Sequence, residues 1–177
     1  MKRIHLLTFL LIAFTSLQGI AQCNETHNLC KKHLSKEDKK AGWFTNQQSV
    51  SFAEEKGEEY VYEIMAYKGY EYRLSVCADI DGGIPVNFKL AQDVMEPVTD
   101  ADGNTTIEKK RKVIFDNSKD ELGELYVLYQ SAKKNEKFYL SFIVPASGKS
   151  TAKKLKSPDK VCLGILIEHR RTKGSSL

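Results

Sequence analysis

Glu59-Tyr60-Val61-Tyr62-Glu63-Ile64-Met65-Ala66, then Tyr67-Lys68-Gly69-Tyr70, then Glu71-Tyr72-Arg73-Leu74-Ser75-Val76-Cys77-Ala78 is the stretch whose reading decides the fold. Tyr60, Tyr62, Ile64 and Ala66 share one parity, and Tyr72, Leu74, Val76 and Ala78 resume it. A period of two marks extended chain with one buried face. Two such runs around a short glycine-containing connection predict a β-hairpin.

Working outward, the same period recurs. Val50 and Phe52 alternate with Ser49 and Ser51, and Glu54 to Glu58 reads as a charged turn. Asp81-Gly82-Gly83 ends the first hairpin, and Val86, Phe88 and Leu90 form the next strand. Asp100-Ala101-Asp102-Gly103-Asn104 is a strong turn signal, after which Thr105 to Phe115 holds one strand, or two split by the basic stretch Lys109 to Lys112. Leu125 to Tyr129 is apolar on both parities, which predicts a central, well-covered strand. Phe138, Leu140, Phe142 and Val144 form another, ending at Pro145; residues 146–160 read as an exposed loop, and Val161 to Glu168 as the last strand.

About eight or nine short strands with regularly spaced turns predict an all-β fold, an antiparallel β-sandwich or jelly roll over residues 45–169, with a barrel as the competing architecture. Residues 22–44 read as a short helical or irregular N-terminal segment anchored by Trp43-Phe44, and 170–177 as a frayed tail.

The chain begins differently. Lys2 and Arg3 precede an apolar run from Ile4 to Leu17, and Gly19-Ile20-Ala21 supplies small residues for cleavage. That is the layout of a signal peptide over residues 1–21, cut after about Ala21. A spanning helix needs about 20 apolar residues, and this run is shorter and interrupted by Thr8, Thr15 and Ser16. Cys23 raises a lipoprotein alternative, but lipobox processing wants a small residue before the cysteine, where Gln22 stands. The expectation is a secreted or periplasmic protein with no membrane span in the mature chain.

Net charge is +4 over 177 residues, and removing Lys2 and Arg3 with the signal lowers it by two. A nearly neutral domain gives no electrostatic footprint for nucleic acid. Cys23, Cys30, Cys77 and Cys162 all lie in the mature chain; in an exported protein they read as two disulfides with three possible connectivities. Cys77 and Cys162 both fall on the parity opposite to their strands' apolar residues, and two cysteines on outward faces of neighbouring strands can bridge. This favours Cys77 with Cys162 and leaves Cys23 with Cys30.

Following a cysteine just after the signal, the segments Ser49 to Phe52, Lys68 to Cys77, Phe115-Asp116-Asn117, Val144-Pro145 and Val161 to Ile167 resemble a group of small exported proteins of Bacteroidetes of uncharacterised function. The resemblance covers most of the mature chain. It implies a β-sandwich loosely similar to bacterial pre-peptidase C-terminal domains, and it implies no catalytic residue. The usual Gly-Cys of the group's final strand is Val161-Cys162 here.

Four clusters carry candidate chemistry. Cys23, His27, Cys30 and His33 offer two thiolates and two imidazoles suited to tetrahedral zinc, although export favours a local disulfide and no metal. Asp100, Asp102 and Asn104 match the first ligand spacings of a calcium loop, but Gly103 is misplaced and Arg111 stands where a bidentate carboxylate is needed. Asp79 and Asp81 before Gly82-Gly83 read as turn residues. Tyr67 and Tyr70, near the first turn, are the candidate glycan contacts, whereas Tyr60, Tyr62 and Tyr72 share the core parity.

Histidines of the mature chain are confined to its terminal regions, and no nucleophile-elbow, zincin or phosphate-loop motif is present, so no catalytic residue and no cofactor are assigned. Lys149, Lys153, Lys154, Lys156 and Lys160 read as a solvated loop. The reading is a non-enzymatic binding or interaction module whose partner is an envelope or extracellular protein or glycan. The alternative is a glycan-binding module or a carboxylate-dependent glycan hydrolase.

Overall fold

The computed structural model describes residues 23–40, 42–119, 126–131, 134–152, 155 and 157–172. Residues 1–22, with the expected signal peptide, lie outside them, as do Leu125, Lys153, Lys154, Lys156 and residues 173–177. The described chain opens with a 3-10 segment, Thr26–His33, and a short helix α1, Lys36–Lys40. Ten strands follow: β1 (Phe44–Thr45), β2 (Val50–Glu55), β3 (Glu59–Ala66), β4 (Tyr70–Ala78), β5 (Ile84–Pro85), β6 (Phe88–Thr99), β7 (Thr105–Asp116), β8 (Val127–Ser131), β9 (Glu136–Ile143) and β10 (Lys160–Arg171).

They form two antiparallel sheets packed as a sandwich. In sheet A, β10 is central: β4 lies on one side, and β2 and β1 lie end to end on the other. The far side of β4 takes β8 and β5 end to end. Sheet B has the order β3-β9-β6-β7.

Between the sheets the apolar parity of the sequence becomes the core. Val76, Leu90, Leu140, Val144, Leu163, Ile165 and Ile167 are fully buried. Burying each such side chain contributes roughly 1.5–3 kcal/mol. Tyr60, Tyr62, Tyr70 and Tyr129 pack against this core from its margins.

Strands β3 and β4 are real, but the hairpin expected between them is not. β3 pairs with β9 in sheet B, and β4 pairs with β10 in sheet A, so the chain arches from one sheet to the other at Tyr67–Gly69. An arch lets both apolar faces meet across the core, where a hairpin would set them side by side. Its corner is held by hydrogen bonds from other elements. Tyr67 N donates to Tyr72 Oη, Lys68 N to Asn135 Oδ1, and Thr172 N to Gly69 O. Gly69 takes φ 82°, a left-handed conformation that glycine adopts without strain.

Two further expectations change. Among the described residues β8 pairs only with β4, and it leaves Leu128 exposed, so it is an edge strand there rather than a central one. β10 runs to Arg171, past the Glu168 expected as its end, because Arg170 and Arg171 pair with Glu71 and Tyr70 on β4. Thr105 to Asp116 is one strand, β7, not two. Among the described residues no helix is long and apolar enough to cross a membrane.

All four cysteines are in disulfides, but the pairing is Cys23–Cys162 and Cys30–Cys77, not the Cys77–Cys162 and Cys23–Cys30 expected from parity. The ladder explains the correction. Cys77 stands opposite Gly164, so Cys162 is displaced from it by two residues along β10. Such diagonal neighbours lie about 7–8 Å apart, beyond ordinary disulfide reach. Each cysteine bonds instead to the N-terminal segment that crosses this outer face. Gly164 makes the crossing possible: a Cβ there would overlap the backbone of Thr26 and His27.

Candidate functional site

The two sheets differ on their outer faces. On sheet A the N-terminal segment covers part of the surface, over β10, β4 and β2: Cys30, Cys77 and Leu166 form a small buried cluster, and the His27 amide and ring both reach Ser51 Oγ, at 3.0 and 2.8 Å. Burial, then the charge of Lys31, holds the His27 imidazole below its ordinary pKa against an opposing effect of Glu25. Farther along, Glu168 accepts from Arg73 Nε and Nη2 at 2.8 and 2.6 Å. Both side chains are buried, and Trp43 lies against the guanidinium groups of Arg73 and Arg170, at 4.9 and 4.4 Å from its ring centroid.

On sheet B the outer face is open. The register aligns Val61, Ser141, Lys89 and Asp116 in one row, and Glu63, Tyr139, Ala91 and Val113 in the next. Val61, Val113 and Ile143 are more than half exposed there. Depressions mark the face, among them two with ordered charges. One of about 430 Å³ is bounded by Lys89, Asp116, Ser141 and Ile143; another of about 260 Å³ is bounded by Asp93, Lys109, Lys137 and Tyr139.

The second depression has a polar centre. Asp93 takes Lys109 Nζ at 2.8 Å, Arg111 Nε at 3.3 Å and Tyr139 Oη at 2.9 Å. Arg111 lies over the Tyr139 ring, 3.4 Å from its centroid. These donors, Lys109 first, hold the Asp93 carboxyl down at about 2. Glu63 and Lys137 pair beside them at 2.9 Å. In the first depression Asp116 takes Ser118 Oγ at 2.6 Å, which lowers its carboxyl from the ordinary range.

Beyond Gln92, β6 pairs with β7 alone among the described residues, so Asp93–Thr99 and their pairs make a two-stranded arm extending past β9. Met95 and Ile107 on it are exposed.

The sequence candidates disperse. Cys23 and Cys30 are spent on disulfides, and His33 Nε2 lies 3.1 Å from Gly83 O, so the four do not assemble as metal ligands. Asp100 accepts from the amides of Asp102 and Asn104 and from Asn104 Nδ2, closing the hairpin turn and lowering its own pKa. Asp79 is buried and takes the Thr151 hydroxyl. Tyr70 is half-buried, edge-on to His169 at 5.4 Å, whereas Tyr67 stands exposed at the arch. The pair does not form a platform.

Sequence reading missed the Asp93, Lys109, Arg111 and Tyr139 cluster. A signal existed: folding the chain about the Asp100–Asn104 turn sets Asp93 opposite Arg111 and Met95 opposite Lys109.

No family model matches the chain, and no curated protein matches it. Among solved structures, one similarity is to the N-terminal endo-1,4-beta-D-xylanase 10B CBM22-1-GH10 modules of Clostridium thermocellum, complexed with xylohexaose. It has 14% identity and a TM-score of 0.24, and covers 77% of this chain and 27% of that one. A likeness at that level carries no argument about ligand. The class defined by the fold is an antiparallel β-sandwich whose two disulfides tie an N-terminal segment to sheet A.

Proposed function

We propose that this chain is a non-enzymatic binding module of the cell envelope or extracellular space, released there as a secreted or periplasmic protein, and that it engages its partner through the outer face of sheet B. The observation that carries the reading is the asymmetry of the two faces. A disulfide-tied segment covers the β10 and β4 middle of sheet A and leaves Leu128 exposed at its edge, while no described segment covers Val61, Val113 and Ile143 among the ordered charges of sheet B. Val61 and Ile143 adjoin on β3 and β9, and exposed apolar side chains within a polar surround are a feature of protein contact surfaces. The disulfides fit an oxidising compartment.

A protein partner fits this face better than a glycan. Sugar stacking needs an uncovered ring, and the Tyr139 ring lies under Arg111. Glycoside hydrolysis needs a carboxylic acid with a raised pKa, yet Asp93 and Asp116 are both shifted downward.

Labelled protein offered to envelope fractions of producing cells and to a glycan array tests the reading, beside a Val61→Asp/Ile143→Asp variant and a Lys149→Glu control. Envelope binding lost in the double variant and kept in the control is expected. Equal binding by the double variant, or reproducible turnover of a sugar, overturns it.

A further inference from the structure

The outer edge of sheet B is unusual in length and charge. β7 ends the strand order, so one of its backbone edges is left without a partner strand among the described residues. Its twelve residues span roughly 40 Å at strand rise, and those from Thr105 to Ile114 are exposed. Edge strands are kept from unwanted additions by shortness, proline, bulges or charge, lysine above all, and a charged edge still admits a strand of opposite charge. β7 carries no proline and keeps its ladder with β6 from Thr105 to Val113 without a break.

Charge selects what could add to it. Lys109, Lys110, Arg111 and Lys112 occupy the middle of the strand, so a second copy set against this run meets cation with cation. A segment with carboxylates meets complementary charge. Lys109 and Arg111 are already fixed by Asp93 on the outer face, which leaves the edge ordered before anything binds. Lys110 and Lys112 alternate with them and lie on the opposite face. Exposed Ile107 on one flank, and Val113 and Ile114 on the other, add apolar contacts. Strand addition combines these terms: backbone hydrogen bonds give affinity and alternate side chains give choice of partner.

We infer that β7 is a docking strand, to which an extended segment of a partner protein with carboxylates at alternate positions adds as a further strand of sheet B. The inference rests on the binding-module reading above and names the chemistry of its partner.

The probe is a synthetic peptide of about eight residues alternating Thr and Glu, close to the length of the basic run with its apolar flanks. Hydrogen exchange of β7 amides is followed with and without it, and affinity is measured for the native protein and for Lys110→Glu/Lys112→Glu. Slowed exchange along β7 is expected, with affinity lowered by about tenfold or more in the variant, an unchanged melting temperature, and loss of binding when alternate peptide nitrogens are methylated. Unchanged β7 exchange at millimolar peptide overturns the inference. Equal binding by the N-methylated peptide also overturns it, because charge alone then suffices; so does equal binding by a polyuronate, which cannot extend the ladder. If the peptide fails while Val61→Asp/Ile143→Asp still abolishes envelope binding, docking at β7 falls and the binding-module reading stands.

Discussion

Each outer face carries a carboxylate, an arginine and an aromatic ring, and the two trios have opposite fates. On sheet A, the side chains of Arg73 and Glu168 are only 2% and 7% exposed, with the rings of Trp43 and Tyr126 against the guanidinium. On sheet B, Asp93, Arg111 and Tyr139 have the same chemistry, but the Arg111 side chain is half exposed. Burial decides what such a trio does. Beneath a cover, the removal of one charge strands the other in low dielectric. In the open, water screens the pair, and the same groups remain available to a partner.

Substitutions sharpen the contrast. Glu168→Ala leaves Arg73 buried without its carboxylate and is expected to cost about 3–5 kcal/mol, read as a lowered denaturation midpoint. A loss under about 1 kcal/mol would place that ion pair with the exposed one on sheet B. Gly164→Ala comes next, since its methyl meets backbone rather than a movable side chain; roughly 1–3 kcal/mol of destabilisation is expected in the same assay.

Asp93→Asn should move the midpoint little, and its signature is in pH. The folded carboxyl titrates near 2 against an ordinary 3.8, so its stabilising contribution is present above 3.8 and lost as pH falls toward 2. Carboxyl NMR titration should give the low midpoint in the native protein, and the variant should lose that part of the acid limb. A midpoint near 3.8 would break the proposed network. Ile143→Ser, on the open face, is expected to stay within about 0.5 kcal/mol of the native protein. A larger loss would mean that this face is packed in a way its exposure does not reveal.

Parity made the core legible. Tyr72, Leu74 and Val76 could be placed inward from sequence because a half-buried strand must alternate. Which sheet each strand joins was not legible, because an arch and a hairpin around Tyr67–Gly69 impose the same alternation. The disulfide pairing failed for a related reason. Parity shows which face Cys77 and Cys162 share, while register, set here by the Gly164 opposite Cys77, decides whether they can meet. The arm was obscure because Asp93 to Thr99 pair only with β7 among the described residues, with no packed face to impose a period, and the basic stretch Lys109 to Lys112 left one strand or two equally open. Asp93 and Arg111 are 18 residues apart and meet only through the hairpin ladder.

The central place of β10 in sheet A has a consequence for the order in which the molecule can be completed. A chain is made from its N-terminus, and β10 is the last of the described strands to be made. Until then, β1 and β2 have no neighbour in their sheet, and Cys23 has no native partner. Cys30 and Cys77 can close early, across 47 residues, whereas the native bond of Cys23 needs a partner 139 residues away, so the second disulfide is completed only with the closing strand.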